Sequence, residues 1–100
     1  MNTFKSYQNT SVTTETTVYT GAASTQATII GLSIANTATT PCYVSVKLNT
    51  AYIVKNAPIP VGGALIVVGG DQKLVVEATD TVKVTSDQTV DVVTSVLEIS

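Results

Sequence analysis

An all-β sandwich is the fold this sequence predicts, and three observations carry the prediction. Thr, Val and Ile supply about two residues in five, the β-branched types that pack on a pleated surface and crowd a helix. Short alternating runs are separated by turn signals about every 8 to 12 residues. No window sustains a 3.6-residue period. A chain of 100 residues and 10.4 kDa makes one domain with a modest core. Such a fold gains from neighbours, so self-association or docking on a larger surface is expected.

The elements follow in order. Residues 1–11 are polar and unpatterned apart from Phe4 and Tyr7. They read as an extended N-terminal arm, either frayed or laid across a neighbouring subunit with the two aromatics as anchors. The sandwich domain then spans 12–100. Val12 to Thr20 is Thr-rich and suits a first or edge strand, and Gly21 to Gln26 is a loop. Ala27 to Asn36 alternates, with Ile30, Leu32 and Ile34 on one face and Ile29, Gly31, Ser33 and Ala35 on the other. After the loop Thr37–Pro41, Cys42, Val44, Val46 and Leu48 face in while Tyr43, Ser45 and Lys47 face out. These two strands are predicted to form a hairpin. Tyr52 to Lys55 is a short strand. Asn56-Ala57-Pro58-Ile59-Pro60 belongs between sheets or along an edge, because proline lacks a ladder donor.

Ala64 to Val68 is an apolar pentad bounded by Gly62-Gly63 and Gly69-Gly70, the pattern of a strand buried on both sides. Leu74 and Val76 point inward from the next strand, and Val82 and Val84 from the one after it. The last strand, Val90 to Ile99, changes phase: Val90 and Val92 favour one face and Val93, Leu97 and Ile99 the other, which predicts a bulge near Val92-Val93. The count is seven or eight strands in an Ig-like or jelly-roll sandwich.

Composition excludes much chemistry. The chain has no His, and all five basic residues are Lys. There is no imidazole base and no His-bearing metal site, and without Arg there is no bidentate phosphate clamp. Five scattered Lys at net charge −2 give no basic stripe, so nucleic acid is not an expected partner. Cys42 is the single cysteine and reads as a small buried hydrophobe. The first residues lack the apolar core of a signal peptide, and the longest apolar run is too short to cross a bilayer, so neither secretion nor a membrane partner is expected.

Asp71, Asp80, Asp87 and Asp91 fall at turns, where Asp caps its own backbone, and the spacing of a calcium loop is absent. The glycine pairs precede no helix and lack the Lys-Ser/Thr of a phosphate loop. Asn9-Thr10-Ser11 matches the glycosylation pattern without a secretory signal beside it. Neither a metal, a cofactor nor an enzymatic activity is expected. Tyr43 and Tyr52 are open to two readings, sugar-stacking anchors or members of cross-strand packing and a protein interface.

Charge is uneven. Thr16 to Val46 carries none, whereas ten of the twelve charges lie from Lys47 onward. Exposed sheet edges are normally guarded by Lys or Pro. The unguarded span is therefore expected to lie against other subunits, or else to be a Thr/Ser-solvated surface.

Six segments carry a family resemblance: Asn2-Thr3-Phe4-Lys5-Ser6-Tyr7, Ala27 to Thr37, Tyr52 to Gly62, Gly69 to Ala78, Val82-Lys83-Val84-Thr85-Ser86 and Val96-Leu97-Glu98-Ile99-Ser100. In this order, over nearly the whole chain, they resemble small virion structural proteins of tailed bacteriophages, notably those of cyanobacteria and marine bacteria. Val18-Tyr19-Thr20-Gly21 departs from the pattern in having no proline after the tyrosine. The resemblance implies a non-enzymatic particle component, made in the host cytoplasm and resident in the virion. As a cement or decoration protein it would be a homo-oligomer, a trimer by preference, packed on the major capsid protein. The alternatives are a neck or tail component contacting neck and tail proteins, and a glycan-binding surface module anchored by Tyr43 and Tyr52. The candidate interface residues are Phe4, Tyr7, Ser33, Tyr43, Ser45, Tyr52, Pro58, Ile59 and Pro60.

Overall fold

A computed structural model describes residues 2–21, 23–68 and 73–99. Asp71 and the Gly69-Gly70 pair lie outside the described residues. Among those described, nine strands form: β1 (Asn2–Val12), β2 (Thr16–Thr20), β3 (Gln26–Asn36), β4 (Cys42–Leu48), β5 (Ala51–Ile59), β6 (Ala64–Val68), β7 (Leu74–Val76), β8 (Thr81–Ser86) and β9 (Val90–Ile99). They build two antiparallel sheets. The first runs β1-β9-β3-β6, with β7 also on β3, and the second runs β2-β8-β4-β5. The inward residues of both sheets meet in one core of β-branched side chains, including Ile29, Leu32 and Ile34 of β3, Val44 and Val46 of β4, Val82 and Val84 of β8, and Val90, Val92 and Val96 of β9.

Several sequence expectations change here. Residues 2–12 are a strand of the first sheet, paired with β9 from Asn2↔Ile99 to Asn9↔Val92, so the segment read as an arm lies along its own domain. β3 and β4 are not a hairpin. Both sides of β3 are taken, by β9 on one side and by β6 and β7 on the other, and residues 37–41 carry the chain across to the second sheet. Asn36 anchors that crossing. Its buried amide nitrogen donates to the carbonyls of Thr40 (3.0 Å), Ile59 (3.1 Å) and Pro60 (3.3 Å), and its oxygen accepts from the Ala38 N–H (2.9 Å).

Bulges account for the other departures. In β3 the register against β9 shifts between Ile29 and Gly31. Ile30 is the extra residue, half-buried, while Ile29 on one side and Leu32 on the other both enter the core. The expected grouping of Ile30 with Leu32 and Ile34, and of Ile29 with the opposite face, is thus corrected: Ile29 shares the core with Leu32 and Ile34. In β2 a shift between Thr17 and Tyr19 lets the consecutive residues Val18 and Tyr19 both be buried. β9 keeps one phase throughout and has no bulge at Val92-Val93: Val90, Val92, Thr94 and Val96 are buried, and Val93 and Ile99 are exposed. β6 is an edge strand rather than a doubly buried one, with Ile66 63% exposed. β5 continues through Pro58 to Ile59 as the outer strand of the second sheet, where a missing ladder donor can face solvent.

Constant phase in β9 places Thr94 in the core with its Oγ1 unpartnered. Burying a hydroxyl without a hydrogen bond costs about 1–3 kcal/mol. Thr94→Val keeps the shape and removes that group, and is expected to raise stability by about 1 kcal/mol in urea-melting experiments; an unchanged or lower midpoint would show that the hydroxyl is satisfied.

Candidate assembly surface

The strand register builds continuous cross-strand rows on the outer face of the first sheet. One row runs Phe4, Leu97, Thr28, Val75, and a second runs Gln8, Val93, Ser33, Ile66. Between them Ser6, Ser95 and Gly31 align, and beyond the second row stand Asp91, Ala35 and Ala64. Phe4 is 73% exposed, Ile66 63% and Val75 61%, with Ile99 and Val93 also exposed. Asp91 is the single charged member of these rows. It sits at one end, and its Oδ1 accepts the Ser11 N–H at 3.1 Å.

The outer face of the second sheet is different in kind. Lys47 and Lys83 stand directly opposite each other, a like-charge pair that would repel. Glu15 lies between them, 3.2 Å from Lys47 Nζ and 3.7 Å from Lys83 Nζ, and the Lys47 hydrogen bond holds its carboxyl below the usual range. Lys47 and Lys55 also cover the Tyr52 ring, at 5.2 and 5.1 Å from its centroid. The free β5 edge carries Lys55 and Pro58. Asn56 there adopts a left-handed conformation (φ 52°), and its N–H donates to Ser45 Oγ at 3.0 Å. This is a guarded edge in the ordinary sense.

The nine candidate interface residues are therefore divided. Phe4 and Ser33 share the outer face of the first sheet. Tyr43, Ser45, Tyr52 and Pro58 belong to the second sheet, with Tyr43 opposite Pro58 and Tyr52 opposite Lys47, so the two tyrosines stand toward opposite ends of the β4–β5 ladder and form no common platform. Ile59 is core, 1% exposed, because it ends β5 beneath the Asn36 anchor. Pro60 is exposed in the following turn, and Tyr7 is half-buried between the sheets. Sequence reasoning missed Leu97, Val93, Ile99, Val75 and Ile66. Their apolar character was visible, but each was an equally good core residue until the phase of its strand was known.

At one end of the sandwich a polar cluster fastens β1. Glu98 points inward from β9, its side chain 12% exposed. Its Oε2 accepts the Tyr19 hydroxyl of the opposing sheet at 2.7 Å and makes a long 3.5 Å contact with the Tyr7 hydroxyl, and its Oε1 lies 3.2 Å from Lys5 Nζ. The Tyr7 and Tyr19 rings pack tilted, with centroids 5.4 Å apart. The Tyr19 hydrogen bond, aided by Lys5 and opposed by burial, holds the Glu98 carboxyl below its ordinary pKa, while burial and the Glu98 bond push the Tyr19 hydroxyl up.

A carboxyl with a depressed folded pKa supplies stability that is present above its unfolded pKa and lost as pH falls through the folded one. As pH drops through the carboxylate range, the amides of Lys5 and Tyr7 are expected to lose hydrogen-exchange protection, corrected for intrinsic rates, before those of β3. Glu98→Gln should remove that acid dependence. Equal loss in β1 and β3 would show that the cluster does not fasten β1.

Other features have structural partners. Asp80 accepts from Asn49 Nδ2 and the Glu77 N–H, and Asp87 accepts from the Tyr43 N–H. Among the described residues no group of three His, Cys, Asp or Glu side chains could hold a metal ion. An open depression of about 500 Å³ lies over Tyr43, Ser45, Asn56, Thr85 and Asp87.

No protein-family model matches the chain, and no curated protein does. Among solved structures, it superposes on a chain from Bacillus endospore appendages, described as a novel family of disulfide-linked pili, with a TM-score of 0.52. The two are 17% identical over 97% of this chain and 85% of that one. The likeness is one of fold.

Proposed function

We propose that this chain is a non-enzymatic structural component of a tailed-phage virion, made in the host cytoplasm, and that it serves as a cement or decoration protein packed on the major capsid protein. The outer face of the first sheet carries the coarser part of the reading, that this chain works as a subunit held against others. That face exposes Phe4, Val75, Val93, Ile66 and Ile99 in rows separated by Ser6, Ser95 and Gly31, apolar area of a kind monomeric proteins rarely leave bare, with Asp91 and Glu77 at its two ends. The fold likeness supports the coarser part of the reading, since a similar scaffold occurs in a protein described as forming pili. The linkage named for those pili has no ready counterpart in this chain. Cys42 is its single cysteine, fully buried, with its thiol pushed up by that burial. Contacts made by this subunit are non-covalent, and repetition on a lattice makes weak contacts sufficient.

A neck or tail position asks the same of this face and differs in copy number. Quantitative mass spectrometry of purified particles separates the two: hundreds of copies per particle are expected for a capsid protein, against about six or twelve for a ring in the neck or tail. Absence from the particle would overturn the structural reading. A glycan-binding role is supported only by the depression beside Tyr43, where Ser45, Asn56 and Thr85 place polar groups around a largely apolar floor. Binding to a glycan array that is abolished by Tyr43→Ala would favour it.

A further inference from the structure

We infer that the outer face of the β1-β9-β3-β6 sheet is covered by the same face of a second copy of this chain, in a two-fold contact. This rests on reading that face as an assembly surface and names what covers it. Charge is the first argument. Asp91 stands at the rim and is already bonded to the Ser11 N–H, so a partner bearing charge would bury it there without compensation. The ion pair of Glu15 with Lys47 and Lys83, and Lys55 above Tyr52, belong to the opposite side of the molecule, Glu98 is turned inward, and Glu77, which lines a depression with Val75 and Ile99, stands at the end of the face away from Asp91. The surface that meets the middle of this face must itself be flat, uncharged and apolar. The same rows on a second copy answer that description: Phe4, Leu97, Val75, Val93 and Ile66 set among Thr28, Ser33, Ser95 and Gly31.

Size is the second argument. Four strands spaced about 4.8 Å apart, followed over the eight steps from Asp91 to Ile99 at about 3.3 Å per residue, give a footprint of roughly 500 Å². Two such faces in contact remove about 1,000 Å² from water, which reaches the ~1,000 Å² that a specific interface requires. Sheets stack face to face readily at about 10 Å. A surface that contacts itself generates a closed pair, because each residue meets its counterpart's neighbour across a two-fold axis.

Sedimentation equilibrium of the full chain tests this. The unaltered protein is expected to sediment as a dimer at micromolar concentration. Val93→Lys and Ile66→Lys should be monomeric, and Thr85→Lys on the opposite sheet should remain dimeric. Val93→Ser and Ile66→Ser, which remove apolar area without adding charge and leave the core untouched, should each weaken the dimer about tenfold, so the result does not hang on the lysine variants folding. A monomer at about 100 µM, a trimer, or a dimer indifferent to all four face variants would overturn the inference. The particle count above is independent: a monomer found abundantly in particles defeats the two-fold contact alone, and a dimer absent from particles defeats the virion reading alone.

Discussion

Replacing Asn36 with leucine is expected to destabilise the domain by about 3–4 kcal/mol, a large share of the 5–15 kcal/mol that holds a domain of this kind together. Leucine has the same side-chain branching and number of heavy atoms as asparagine, with bulkier methyl groups at the tips. It offers none of the four hydrogen bonds, so the carbonyls of Thr40, Ile59 and Pro60 and the N–H of Ala38 lose their partner together. A buried polar group left unmet costs about 1–3 kcal/mol, and the outer two carbonyls can recover part of this from water. Asn36→Asp makes the test sharper. At neutral pH it turns a charged oxygen toward three carbonyl oxygens and should cost at least as much as leucine. Protonation turns one oxygen into a donor and should return part of the loss in acid. Urea melting at both pH values reads this directly; a loss below 1 kcal/mol for leucine would mean that the crossing between sheets does not depend on this amide.

Gly21→Ala is expected to cost about 2–3 kcal/mol, close to the upper range for overpacking. A Cβ on Gly21 would overlap the backbone carbonyl oxygen of Glu77, and it would press on the Glu77 carbonyl carbon at 3.1 Å. These are main-chain atoms of a tight turn and cannot swing aside as a side chain would. The same turn is tied to Gly21 by two backbone bonds, Gly21 N–H to the Asp80 carbonyl and Thr79 N–H to the Gly21 carbonyl, both 2.9 Å. Thr79 is already held at φ 68°, which leaves little room to adjust. Thermal melting should show the loss, and proteolysis should find new cleavage near residues 77–80. Wild-type stability in Gly21→Ala would mean that the turn moves freely.

What the sequence by itself determined rests on period and composition. A run such as Cys42-Tyr43-Val44-Ser45-Val46-Lys47 has one physically acceptable phase, because only one face can be buried without Lys47, and the same holds for Val82-Lys83-Val84. The all-β class, these inward sets, and the turn role of Asp80 follow from that alone, whereas Asp87 reaches out of its turn to the Tyr43 N–H. Where apolar residues occupy both faces, phase is undetermined. Val90 to Ile99 reads equally well with Leu97 and Ile99 inside, and only pairing with β1 and β3 shows that Thr94 and Glu98 take the inner side, with Tyr19 of the other sheet satisfying Glu98. A bulge is likewise silent in the sequence. The extra residue Ile30 reverses the side on which Ile29 packs, and nothing local distinguishes that from simple alternation.

The same limit applies to the apolar outer face. Phe4, Thr28, Val75 and Leu97 come from four separate segments, and their alignment exists only once β1, β9, β3 and β7 are in register. The lack of charge from Thr16 to Val46 pointed to a surface needing a neighbour. Its location on the outer side of one sheet, with Lys47, Lys55 and Lys83 on the other, is a consequence of strand order, and strand order depends on hydrogen bonds between residues far apart in the chain.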